Sequence, residues 1–156
     1  MGGMIAFQLA LDKPELVKSL IVVNSAPDFR FSTFTLPQKL RVYERMYILR
    51  CMSMRTMGKI IGRLLFPKPD QAILRQMVVE RWQNNNKNAY RASMHAILHW
   101  GVADRIGNIG CPVLVIGGKQ DFIPLATKQS YVSQIKNARL VIFEDSRHAT
   151  SIDQHE

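Results

Sequence analysis

The apolar residues change their spacing several times along the chain. Residues 4–11, Met-Ile-Ala-Phe-Gln-Leu-Ala-Leu, are apolar almost all the way round a helix, which predicts a buried helix behind two glycines. Asp12-Lys13-Pro14 ends it, because the residue before a proline is pushed out of the helical region. Ser19–Asn24 is a short β-branched run closed by Ser25-Ala26-Pro27, the pattern of a strand covered on both faces. From Leu36 to Ala103 the period turns helical. It predicts helices over 37–57, 57–66, 69–84 and 87–103, with breaks at Phe66-Pro67-Lys68-Pro69 and Asn84-Asn85-Asn86. Val113–Gly118 reads as a second buried strand and Ala138–Phe143 as a third strand. Between them a helix opens at Pro124 and runs to about Gln134, and a polar loop with Ser146, Arg147 and His148 follows. Strands separated by helices imply an α/β fold with a parallel sheet.

Composition narrows the class. At 156 residues, 47% apolar and 21% charged, the chain is globular, and no run approaches the roughly 18–20 apolar residues of a membrane span. The formal charge of +9 would by itself suggest a nucleic acid or anionic surface as partner. Its location changes that picture. Residues 30–91 hold 13 Lys and Arg against Glu44, Asp70 and Glu80, a net of +10, while the rest holds 8 basic and 9 acidic residues, a net of −1. Such a run is more simply the solvated face of amphipathic helices, and basic stretches such as Arg41–Arg45 carry no aromatic interleaving. No nucleic-acid partner and no stable membrane insertion are expected. Six of the eight methionines, Met46, Met52, Met54, Met57, Met77 and Met94, fall in the same segment, as core filling or as a pliable lid.

Cys51 and Cys111 lack CxxC or Cys/His ligand spacing, so both are expected to be small buried hydrophobes in a reducing compartment. The beginning of the chain lacks a basic segment followed by an apolar run, and the first six residues lack the Ser or Thr of a myristoylation signal. A cytoplasmic protein is the expectation. His95 and His99 have the i, i+4 spacing of a helical metal pair but no HExxH pattern and no third ligand; packing of the last helix of the segment is the simpler reading. No metal and no cofactor are expected, and His155 is uninformative.

In open parallel sheets, sites form where the carboxyl ends of strands gather their loops. Ser25 and Asp28 follow the first strand, Asp121 the second, His148 the third. Taken singly, Asp121 is a turn former and His148 a loop histidine. Together, at the ends of consecutive strands, they suit an acid–base relay in which the carboxylate fixes the imidazole tautomer.

Three motifs, in order, resemble the C-terminal part of the α/β-hydrolase fold family. Met1-Gly2-Gly3-Met4-Ile5-Ala6 is similar to the residues after the nucleophile in the family's Gly-x-Ser-Met-Gly-Gly elbow. Cys111–Pro124 resembles the family's strand, turn and acid, and Leu140–His148 its last strand and histidine loop, with Asp121 and His148 27 positions apart. The resemblance implies a partial α/β-hydrolase core over 1–29 and 104–156, with three C-terminal parallel strands and flanking helices. It implies a helical cap, or lid, inserted over 30–103. It further implies Asp121 and His148 as catalytic residues, Met1 as a backbone oxyanion-hole position, and a small-molecule carbonyl substrate: an ester, a lactone or a related compound.

The family's nucleophile would stand one place before Met1. The chain is therefore expected to be a fragment, inactive alone, with Ser19–Asn24 left as an apolar edge. Rival readings place the acid or another catalytic group at Ser25 or Asp28, or make the chain a non-catalytic binding module using the basic, Met-rich segment.

Overall fold

The computed structural model describes residues 1–154; His155 lies outside the described residues. Its sheet has three parallel strands in the order β1 (Leu20–Val23), β2 (Val113–Gly118), β3 (Ala138–Phe143). Val22 pairs with Val115, and Val115 with Leu140, so the strands run in step and finish at one end of the sheet. The second and third strands have the bounds the β-branched runs predict.

The chain forms two compact units, one from Met1–Asp28 with the chain from Trp100 onward, the other Phe29–His99. In the first, helix α1 (Gly2–Asp12) ends where Lys13 N–H caps the Leu9 carbonyl at 2.9 Å, just ahead of Pro14. Helix α6 (Leu125–Val132) begins after Pro124, and α7 (Thr150–Asp153) is a single turn in what reads from sequence as a polar loop. Phe7, Val22, Ile106, Ile109, Val115, Tyr131 and Ile135 are buried in this unit. Phe7 meets the Tyr131 ring edge-on at 5.8 Å.

Two expectations about burial are corrected here. Helix α1 is buried only through Met4, Phe7 and Ala10, while Ile5 and Leu9 are exposed. Strand β1 is not covered on both faces: Leu20 and Val22 are buried, but Ile21 is 63% exposed and Val23 38%. Among the described residues β1 pairs with β2 alone, so it is an edge strand.

The second unit is helical: α2 (Leu36–Cys51), α3 (Met54–Leu65), α4 (Ala72–Gln83) and α5 (Lys87–Leu98). The helix expected over 37–57 is interrupted, because Ser53 Oγ accepts the Thr56 N–H at 3.2 Å and starts a new helix there. Asn86 begins α5 in the same way, accepting from Asn88 and Ala89. That helix stops at Leu98 rather than 103; His99 N–H turns back to the Ala96 carbonyl, and Ala103–Asn108 is a 3-10 segment. Helices α3 and α4 pack closely, since a Cβ on Gly58 would lie 2.9 Å from the Trp82 Cβ and 3.0 Å from the Val79 Cα.

Met54, Met57 and Leu49 form the buried cluster, with Met46, Ile48, Trp82 and Tyr90 against it. Met52 and Met77 remain exposed. Cys111 is half-buried and Cys51, the last residue of α2, is exposed, against the expectation that both are buried. Among the described residues, no helix is long and apolar enough to cross a membrane.

Candidate active site

The ends of β2 and β3 build the site. Strand β2 finishes in Gly117-Gly118, and the second glycine is required by contact: a Cβ there would fall 2.3 Å from the Arg147 carbonyl oxygen and 2.4 Å from that of Ser146. The loop after β3 therefore lies directly on the bare end of β2. It is fixed by Gln120 N–H donating to the Ser146 carbonyl at 3.0 Å, and by the buried Ser146 hydroxyl, which reaches Thr150 Oγ1 at 2.9 Å and Asp153 Oδ1 at 2.8 Å. Asn24, at the end of β1, holds the same seam. Its side chain donates to Thr150 Oγ1 at 2.8 Å and accepts the Gly118 N–H at 3.1 Å. Asn24 has φ of +48°, a left-handed conformation that Asn tolerates better than most residues.

These loops bring Asp121 and His148 together, with Asp121 Oδ1 2.7 Å from His148 Nδ1. The carboxylate is fully buried and the imidazole 31% exposed, so the ring has an inner side held by the acid and an outer side open to reactants. Ile123 N–H also donates to Asp121 Oδ1, at 3.2 Å. The second oxygen, Oδ2, pairs with Lys128 Nζ at 2.8 Å, and both side chains are fully buried. Burial pushes the Asp121 carboxyl up, but hydrogen bonds and charge from His148 and Lys128 outweigh it and hold the group below the usual 3.8. The Tyr131 hydroxyl is pushed upward, by burial first and then by the Asp121 charge, and donates to the Ser25 carbonyl at 3.1 Å. Phe122 stacks on the His148 ring at 3.7 Å between centroids. A buried carboxylate aimed at one imidazole nitrogen is the arrangement that lets a histidine accept a proton and share the resulting charge.

The family model described as the alpha/beta hydrolase fold matches residues 1–154. The chain belongs to that family. Among the curated relatives, the pimeloyl-[acyl-carrier protein] methyl ester esterase of Vibrio campbellii is 25% identical, over all of this chain and 63% of its own length. Two solved α/β hydrolases share the fold. The enol-lactonase from Burkholderia xenovorans LB400 has a TM-score of 0.83 and 20% identity, over 99% of this chain and 58% of its own. The esterase from Exiguobacterium antarcticum has a TM-score of 0.84 and 23% identity, over 98% and 59%. This hydrolase-family chain thus spans just under two thirds of the length of the curated relatives it matches.

The other residues singled out from the hydrolase sequence fall elsewhere. Met1 caps the start of α1, its carbonyl accepting from Met4 and Ile5, and it makes no hydrogen bond to Asp121 or His148. Ser25 is buried beside Gly3, where a Cβ would meet it at 2.5 Å. Asp28 sits at a bridge to Gly101, and the carboxylate at His148 Nδ1 is that of Asp121, not of Asp28. His95 on α5 and His99 just past its end stack on one another at 4.1 Å, both exposed rather than packing inward. Among the described residues no group of three or more His, Cys, Asp or Glu could hold a metal.

Sequence reasoning passed over Lys128 and Asn24. Lys128 carried a signal, since it precedes Tyr131 by three positions on the same face of the helix. Asn24 carried none beyond ending a strand.

Proposed function

We propose that the complete protein is a serine-dependent hydrolase of esters, lactones or related small carbonyl compounds, and that this chain is its C-terminal part. The observation that carries the reading is the 2.7 Å contact between buried Asp121 and half-buried His148 at the ends of adjacent parallel strands. The proposed nucleophile is a serine just upstream of Met1. Two observations support an upstream part: the chain covers 63% of its relative, and edge strand β1 exposes Ile21 and Val23. The proposed lid is the helical segment 30–103.

In the reaction, His148 Nε2 takes the serine proton as the oxygen attacks the carbonyl carbon. Asp121 holds Nδ1–H and stabilises the imidazolium. The backbone N–H at position 1, an amide in the longer chain, is one donor to the oxyanion. His148 then returns its proton to the leaving alcohol oxygen. Water, deprotonated by His148, attacks the acyl-enzyme; His148 passes that proton to the departing serine oxygen, releasing the acid and restoring the serine.

The test is hydrolysis of a short-chain p-nitrophenyl ester by the full-length protein, by its His148→Ala variant, and by residues 1–156 alone. His148→Ala is expected to lose roughly 10³-fold or more in kcat, and the chain alone to show no His148-dependent turnover. Full turnover in His148→Ala would overturn the relay; His148-dependent turnover by the chain alone would overturn the upstream nucleophile.

A second reading, binding of an anion by the basic segment, has one observation in its favour. Arg55, Lys59 and Arg63 stand one turn apart on α3 beside a groove of about 430 Å³. Of the methionines that reading also needs, Met54 and Met57 are core while Met52 and Met77 are exposed.

A further inference from the structure

Lys128 is a group the proposed reaction does not require. Lysine is almost never fully buried unless paired, and a hydrocarbon side chain would fill this core position without desolvating two charges. Yet the structure makes room for it. The side chain runs past Gly117, where a Cβ would lie 2.6 Å from Lys128 Cε and 2.8 Å from Cδ. It ends with Nζ 2.8 Å from Asp121 Oδ2 and donating to the Ile123 carbonyl at 2.6 Å. The two carboxylate oxygens are thereby divided: Oδ2 belongs to Lys128, while Oδ1 belongs to His148 Nδ1 and the Ile123 N–H.

We propose that Lys128 is a positioning residue of the site: it holds Oδ2 so that Oδ1 faces His148, and its charge offsets part of the pull of Asp121 on the imidazole proton. The charge count states the consequence. With a neutral ring, Asp121, Lys128 and His148 sum to zero; with a protonated ring they sum to +1. Without Lys128 the same two states carry −1 and 0. Lys128 thus makes the proton-accepting form of His148 the charge-balanced one, at a burial where charges are weakly screened.

Several other titratable groups near the site have partners of their own. Tyr131 on α6 stays protonated and donates to Ser25. Asp153 on α7 accepts from Ser146 and from the Arg147 N–H. The Arg147 side chain belongs to the histidine loop itself, and Lys119 pairs with Glu144.

The catalytic consequence rests on the serine-hydrolase reading; the coupling of Lys128 to His148 does not. Lys128→Met and Lys128→Gln are therefore compared with the parent both in this chain and in the full-length protein. In the chain, the low-field proton resonance of His148 Nδ1–H is followed against pH. In Lys128→Met its acid-side transition is expected to move to higher pH. In the full-length protein the acid limb of kcat/KM moves the same way, with at least about threefold more of the plateau rate lost at the acid end.

Lys128→Gln keeps a polar side chain on the Oδ2 side of Asp121 without the charge. It is expected to show the same pH displacement with a plateau nearer the parent's, and it decides the matter if Lys128→Met does not fold. A transition unmoved in the folded variants overturns the proposal. If the parent full-length protein does not hydrolyse esters while the resonance still moves, the serine-hydrolase reading fails and the coupling stands.

Discussion

Gly118→Ala is the sharpest perturbation of the site that leaves every polar group in place. The added Cβ would lie 2.3 Å from the Arg147 carbonyl oxygen, 2.4 Å from the Ser146 carbonyl oxygen and 2.6 Å from the Ser146 carbonyl carbon. Ordinary contact begins near 3.4 Å, so the loop has to retreat by about 3.4 − 2.3 ≈ 1.1 Å. All three atoms are backbone, so no rotamer change relieves the clash. The loop resists retreat because Gln120 N–H holds the Ser146 carbonyl, and the Ser146 hydroxyl is tied to Thr150 and Asp153. Overpacking of this kind costs about 1–3 kcal/mol, and in a domain of this size each kcal/mol lowers Tm by roughly 2–4 °C. The displaced loop carries His148 one and two residues beyond the clash, and a misplacement near 1 Å costs on the order of 100-fold in rate. Thermal unfolding of the chain, together with ester turnover by the full-length protein, measures both effects. A Tm within about 1 °C of the parent and turnover within about twofold would refute the reasoning, because the loop would then have yielded without strain and without moving the histidine.

The acid side of the stability curve reports on Asp121. Its carboxyl is held below 3.8 in the folded chain, so the stabilisation is present in full above the unfolded value and is lost as pH falls through the lower folded one. Asp121→Asn is expected to lack that component, giving a flatter dependence of urea unfolding free energy on pH in the region below about 4; an unchanged slope there would remove the ion pair from the account. Asn24→Ala loses two buried hydrogen bonds and puts alanine at φ of +48°. The expected loss is about 2–4 kcal/mol in denaturant unfolding, and Asn24→Gly, which meets the backbone demand but not the hydrogen bonds, should recover about 1 kcal/mol of it.

Strands β2 and β3 were legible to the residue because each is a short, β-branched apolar run bounded by turn-forming or polar residues, a local signal that needs no tertiary information. The pairing of Asp121 with His148 was legible as a consequence of strand order, since consecutive parallel strands place their following loops side by side. The break at Ser53 was not, because Met52, Ser53 and Met54 leave the helical period intact and only the Ser53–Thr56 capping contact selects the interruption. The single turn Thr150–Asp153 was hidden for a related reason: it is ordered by the hydroxyls of Ser146 and Thr150 and by Asp153, contacts between polar residues that a hydrophobic pattern does not register. The burial of Lys128 against Asp121 was obscured by its chemistry, since a lysine on a helix reads as solvated until its acid partner is located.

The burial that failed to appear is informative in its own right. The apolar runs in α1 and β1 are written for elements covered on more than one side, yet Ile5, Leu9, Ile21 and Val23 are exposed while their neighbours Phe7 and Val22 are not. Alternation of this kind along β1 is what one covered face produces, whereas the residues themselves are apolar at every position from Leu20 to Val23. A sequence selected for a one-sided edge strand would place polar side chains at 21 and 23. The mismatch therefore points to further packing partners for this end of the sheet, as the proposed reading of the chain as part of a longer hydrolase requires. It also separates two kinds of dependence. The geometry of Asp121, His148 and Lys128 is built from β2, β3, α6 and the loops after them, all within the described residues. The proposed nucleophile and the proposed cover over β1 lie outside them, so under that reading the acid–base half of the site is testable in this chain and the covalent half in the longer one.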